Sequence, residues 1–95
     1  MTQHYLAGEM SLLLGQLQAV ATSHACVRDA AYLRREAETG PLTALGSVAV
    51  RALELTNGLC WDSLSRGDTP AFARQAALCA ELHEFGTCAD LLDEE

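Results

Sequence analysis

The sequence predicts an all-α protein forming a single domain over residues 1–95. Apolar residues make up 49% of the chain, and most of them are Ala and Leu, which favour helices. Isoleucine is absent and valine occurs only four times, although strands favour such β-branched residues. The apolar positions also recur at helical spacing along most of the chain. We therefore expect a small helical bundle of three main helices followed by a short C-terminal helix.

The first helix is predicted to be long, covering residues 4–38. Its apolar positions repeat every seven residues in two registers and form one seam over four heptads. A straight helix of this length would extend about 50 Å, whereas a compact domain of this size is about 30 Å across. The helix must therefore break near Thr22-Ser23 or project and require a partner, and the unbroken seam favours the partner. The sequence thus predicts a homodimer whose interface contains Leu6, Met10, Leu13, Leu17, Val20, His24, Val27 and Trp61.

Glycine and proline mark the ends of the other helices. Gly40-Pro41 ends the first helix, because a left-handed glycine stops a helix and proline cannot continue it. The second helix is expected to run to Gly67, with Asn57-Gly58 as a possible break. Thr69-Pro70 predicts the start of the third helix. Gly86 is expected to stop it before a capping box over residues 87–90 opens a short helix carrying Leu91 and Leu92.

The charge balance disfavours nucleic acid and membranes as partners. The chain has six Arg, no Lys and thirteen acidic residues, which gives a net charge of −7. Phosphate binding requires clustered basic residues, and anionic lipid surfaces have the same requirement. No apolar run approaches the roughly 20 residues of a membrane span. We expect a cytoplasmic protein with reduced cysteines, and the scarcity of Lys, Ile and Asn indicates a high-GC, bacterial gene.

The stretch CAELHEFGTC, residues 79–88, is a candidate metal site. Cys79 and His83 are four residues apart and share one helix face, and Cys88 follows a glycine. Cys26 or Cys60 would complete the ligand set, and thiolate with imidazole suits Zn²⁺ or Cu⁺. The paired C-x2-C spacing of structural zinc sites is absent from the sequence, and free cysteine often packs as a small apolar residue. Packing is therefore the favoured interpretation, with no cofactor expected.

Catalytic motifs are not found in the sequence. It contains no G-x-S-x-G, no H-E-x-x-H and no glycine-rich phosphate loop, so we expect no enzymatic activity. Asp62-Ser63-Leu64 resembles the phosphopantetheine attachment motif of acyl carrier proteins. The resemblance covers three residues only, and Gly67 and Pro70 interrupt the long helix that the carrier serine should open.

These observations favour a small acidic interaction or regulatory protein. We expect it to act as a homodimer on a protein partner, and its negative charge suits a partner with a basic surface. The alternative is a metal- or thiol-responsive sensor that uses Cys79, His83 and Cys88 with Cys26 or Cys60.

Overall fold

The structure is a computed structural model that describes residues 2–89, and the side chains of residues 5–41 and 43–89. Within this range the chain forms four α-helices and no strand, which confirms the all-α class. The helices are α1 (Thr2–Val20), α2 (His24–Thr39), α3 (Leu45–Arg66) and α4 (Thr69–Cys88), with a 3₁₀ turn at Leu42–Ala44.

The helices pack as two hairpins laid against each other. α1 packs along α2, and α3 packs along α4. Between the hairpins, α1 contacts α4 and α2 contacts α3. The described part of the chain measures 42 × 29 × 17 Å along its principal axes. Its core is formed by apolar side chains from all four helices, the largest of which are Met10, Leu14, Leu17, Leu45, Val48 and Leu82.

The predicted long N-terminal helix is wrong, because the chain turns back between α1 and α2. Ser23 is extended (φ −144°, ψ 158°), and its side chain accepts a hydrogen bond from the backbone N–H of Cys26 at 3.2 Å. At the other side of the break, the side chain of Gln75 donates to the carbonyl of Val20 at 3.1 Å. Both helix ends are thus satisfied by side chains, which permits the break. The seam on α1 packs against α2 and α4 of the same chain, so helix length no longer requires a second chain.

The other helix boundaries agree in part with those predicted from the sequence. α3 continues through Asn57-Gly58 and ends at Gly67, which is left-handed (φ 72°) as a helix-terminating glycine should be. Gly40 follows α2 but is extended (φ −81°, ψ 172°) rather than left-handed. Asp68, one residue before Thr69, caps α4 by accepting a hydrogen bond from the N–H of Ala71 at 3.3 Å.

Gly86 does not stop α4, which continues to Cys88. Gly86 is one of the buried residues of α4. The separate short helix expected after it would include Leu91 and Leu92, which lie outside the described residues. Residues 2–89 therefore form four helices of 16 to 22 residues, where the sequence predicts three main ones.

Candidate functional site

An apolar groove runs between α3 and α4 on the face that neither α1 nor α2 covers. Its volume is about 610 Å³, and α3 and α4 form its two walls. The lining residues are Leu53, Asn57, Cys60, Trp61, Leu64, Phe72, Ala76, Cys79, Ala80, His83 and Glu84.

The spacing of the apolar residues along α3 explains how this helix can pack into the core and also line the groove. The core side of α3 carries Val48, Ala52 and Leu59, which are all buried. A second apolar stripe, Leu53, Trp61 and Leu64, lies on another face of the same helix and lines the groove. α3 is therefore apolar on two faces, and the single chain buries only one of them.

Two large apolar side chains at this groove are exposed to solvent. Trp61 is 60% exposed and Leu64 is 53% exposed. On α4 the opposite wall contains the small residues Ala76 and Ala80. The groove therefore combines protruding side chains with a recess beside them, and such exposed apolar patches are typical of interaction sites.

The groove carries little charge. In the described structure, Glu84 is the one acidic residue and His83 the one histidine that line the groove, and no arginine lines it. Two of the arginines are paired elsewhere, Arg34 with Glu38 (3.4 Å) and Arg66 with Asp62 (3.1 Å). The negative charge of the chain is thus concentrated outside the groove.

Two cysteines lie in the groove wall. Cys60 is buried and Cys79 is half-buried. Burial, with a smaller contribution from the nearby Cys79 thiol, raises the pKa of Cys60. Burial and then Asp29 raise the pKa of Cys26, which lies on α2 away from the groove. Both thiols are therefore held in the protonated, unreactive form near neutral pH.

The predicted metal ligands are brought together only in part. Cys79 and His83 line the same groove, one helical turn apart, and Cys60 faces them from α3. Cys88 is exposed near the end of α4 and does not line the groove. Among the side chains that the structure describes, no group of three His, Cys, Asp or Glu could hold a metal ion.

The predicted interface residues are divided between the core and the surface. Met10, Leu13 and Leu17 are buried inside the chain, and Leu6 and Val20 pack against that core in partly buried positions. His24 and Val27 are exposed on α2. Trp61 is the one predicted residue that lies at the groove. The sequence prediction missed its neighbours Leu53 and Leu64, although their spacing from Trp61 is the signal of a second apolar stripe.

Ser63 is unavailable as a carrier serine. It is 0% exposed, and its hydroxyl donates a 2.7 Å hydrogen bond to the side-chain oxygen of Gln75. A phosphopantetheine group cannot be attached to a hydroxyl that is enclosed in the core. The three-residue resemblance to acyl carrier proteins therefore has no counterpart in the structure.

The fold and the groove define an all-α protein with a solvent-exposed apolar groove between two of its helices. No helix in the described range is both long and apolar enough to cross a membrane. The chain gives no significant match to any protein-family model, curated protein or solved structure. Its function is therefore argued from the groove itself.

Proposed function

We propose that this protein is a small interaction protein that binds another polypeptide through the groove between α3 and α4. The observation that carries the proposal is the exposure of Trp61 and Leu64 beside an apolar recess. A buried aromatic side chain removes about 150–250 Å² from water, and each Å² of apolar surface contributes roughly 25 cal/mol. Covering these two side chains would therefore stabilise a complex by several kcal/mol before the entropy of association is counted.

The shape of the groove suits a helix. From Leu53 to Leu64, α3 contributes about 16 Å of wall, which is close to three helical turns. Helix-in-groove recognition uses apolar anchors at this spacing. The aromatic and leucine side chains of the wall would supply the contacts, and the small residues of α4 would allow close approach.

The same lining argues against a catalytic site. Enzyme pockets bring several polar groups together around the reacting atoms. Here Asn57, His83 and Glu84 are exposed at the groove, so they are not enclosed around a common point, and the other polar lining side chains are the two cysteines. Cys60 has a raised pKa, and no buried side-chain polar atom lacks a hydrogen-bond partner in the described structure. An interaction role therefore accounts for more of the groove than a catalytic or thiol-sensing role does.

Charge suggests what the surface outside the groove recognises. With a net charge of −7 and few charges inside the groove, the acidic groups are distributed over the exterior. Such a surface attracts basic proteins and speeds their association. We include in the proposal that the protein regulates a basic protein partner, in a cytoplasmic setting.

Site-specific photo-crosslinking tests the proposal. A benzophenone amino acid is placed at position 64 in the groove and, as a matched control, at position 12. Leu12 is 60% exposed on α1, so the two leucines are similarly accessible. We expect covalent adducts from position 64 and none from position 12. Each adduct is identified by mass spectrometry, and the captured polypeptide is then titrated against the purified wild-type protein and Trp61→Ala. Equal adducts at both positions, or unchanged affinity in Trp61→Ala, would contradict the proposal.

A further inference from the structure

We infer that the occupant of the groove is a second copy of this chain, with Trp61 of each copy inserted into the groove of the other. This inference rests on the proposed function, since it requires that the groove binds a polypeptide. It assigns the homodimer predicted from the sequence to α3 and α4 in place of α1.

The first argument is that the protruding residue and the recess lie on the same surface. A two-fold interface is self-complementary, because the same patch on both subunits must supply the projection and the cavity. Trp61, 60% exposed, is itself a lining residue of the 610 Å³ groove. A two-fold axis beside Trp61 would therefore bury both tryptophans and fill both recesses at once.

The second argument is electrostatic. Two copies of a chain with a net charge of −7 repel each other, and the repulsion is smallest where the contact surface brings few like charges together. The groove meets this condition, since Glu84 is its only carboxylate and the described lining contains no arginine. A basic helix could pair with only one carboxylate in this groove, whereas a second copy would place its own apolar stripe against the apolar lining.

The third argument is the spacing of residues along the groove side of α3. Val50, Leu53, Asn57, Cys60 and Leu64 follow the alternating three- and four-residue spacing of a heptad seam. Asn57 is the sole asparagine of the chain and lies at the centre of this series. A single asparagine at such a position is a known device for fixing the register of paired helices.

Sedimentation equilibrium of the purified chain tests the inference. We expect the wild-type protein to be a dimer that dissociates on dilution, and the fluorescence of Trp61, the sole tryptophan, to shift to shorter wavelength as the dimer forms. Leu64→Gln should weaken the dimer by more than about tenfold. Leu12→Gln should leave it unchanged, because Leu12 is an equally exposed leucine on α1. Circular dichroism establishes that both variants remain helical.

The outcomes separate this inference from the proposed function. If the wild-type chain stays monomeric at all concentrations, the inference that a second copy occupies the groove is wrong. Equal effects of Leu64→Gln and Leu12→Gln overturn it too, because the interface would then lie elsewhere. If the protein is monomeric but position 64 captures a different polypeptide, the proposed function stands with another occupant. If neither self-association nor an adduct at position 64 is found, both proposals are wrong.

Discussion

The hydroxyl of Ser63 on α3 donates a hydrogen bond of 2.7 Å to the side-chain oxygen of Gln75 on α4, and both residues are 0% exposed. The amide nitrogen of Gln75 donates in turn to the carbonyl of Val20 at the end of α1. One buried glutamine therefore connects three helices and satisfies a terminal carbonyl of α1 that has no partner within its own helix. This contact stabilises the point at which the chain turns into α2.

Replacing Gln75 should destabilise the fold substantially. Gln75→Leu keeps most of the volume but leaves the Ser63 hydroxyl and the Val20 carbonyl without their partner. An unsatisfied buried group such as the Ser63 hydroxyl costs about 1–3 kcal/mol, and the Val20 carbonyl, whose hydrogen bond is only partly buried, costs less. We therefore expect a loss of roughly 2–4 kcal/mol in the free energy of unfolding measured in urea. Gln16→Leu, at an exposed site on α1, is the control and should change it by less than about 0.5 kcal/mol. Similar values for the two variants would show that the Gln75 contacts contribute little.

The cap at Ser23 is a second contributor to the turn between α1 and α2. Its side-chain oxygen accepts from the N–H of Cys26, so Ser23→Ala should cost about 1 kcal/mol. Ser65→Ala, at an exposed serine within α3, is the matched control, and it should be neutral or slightly stabilising because alanine favours helix interiors. Thermal unfolding of both variants checks the prediction. If Ser23→Ala is as stable as Ser65→Ala, the cap is not what separates the two helices.

The fold class could be predicted from the sequence, but the break at residues 21–23 could not. A heptad seam has the same spacing whether the helix continues to a partner chain or turns back and packs on itself. The deciding contacts are the Ser23 cap and the hydrogen bond from Gln75, 55 residues away from Val20. Sequence periodicity contains no information on a contact of this range. The Gly67 stop, in contrast, depends on local backbone geometry and was predicted correctly.

The candidate site was predictable only through single residues. The sequence singles out Trp61, Cys79 and His83, and all three line the groove. Their relation to one another depends on the pairing of α3 with α4, which brings Cys60 opposite Cys79 and leaves Cys88 at the surface. Spacing alone also cannot show which of the two apolar stripes of α3 is buried, because this depends on how many helices pack against α3 and on which side.

Two glycines in and after α3 should respond oppositely to alanine. Gly58→Ala should raise the free energy of unfolding by about 1 kcal/mol, measured at a low concentration where the chain is monomeric. A Cβ there meets open space, so no clash offsets the helix propensity. Gly67→Ala should lower the free energy of unfolding by about 1 kcal/mol or more, because φ at this position is +72°. A destabilising Gly58→Ala would show that α3 requires flexibility at its centre.

Metal binding is addressed by native mass spectrometry with and without a chelator. The described side chains include no group of three ligands, so we expect the apo mass and no change in melting temperature on chelation. Cys79→Ser should then cause no more than a modest packing loss, since Cys79 is half-buried. A stoichiometric mass excess that both the chelator and Cys79→Ser remove would make the metal-sensor alternative the better account.

The cysteines should differ in reactivity and in their effect on alkaline stability. Cys88 is exposed and should be alkylated first, whereas burial raises the pKa of Cys60 and slows its reaction near neutral pH. A cysteine thiol in the unfolded chain has the ordinary pKa of about 8.5. The Cys60 thiol in the folded chain stays protonated to higher pH, because burial raises its pKa. The unfolded state therefore loses its proton first, and the folded state should lose stability as the pH rises above about 8.

Replacing Cys60 by alanine isolates this effect. Cys60→Ala should reduce the alkaline loss of stability, because the raised pKa of its thiol is then removed. Ser65→Ala, at an exposed site on the same helix, removes no thiol and should leave the slope as it is in the wild-type protein. Urea unfolding at several pH values gives the slope, and peptide mapping after brief alkylation gives the order of reaction. If Cys60 reacts as fast as Cys88 and its replacement leaves the slope unchanged, its thiol is accessible and the groove wall around it is open in solution.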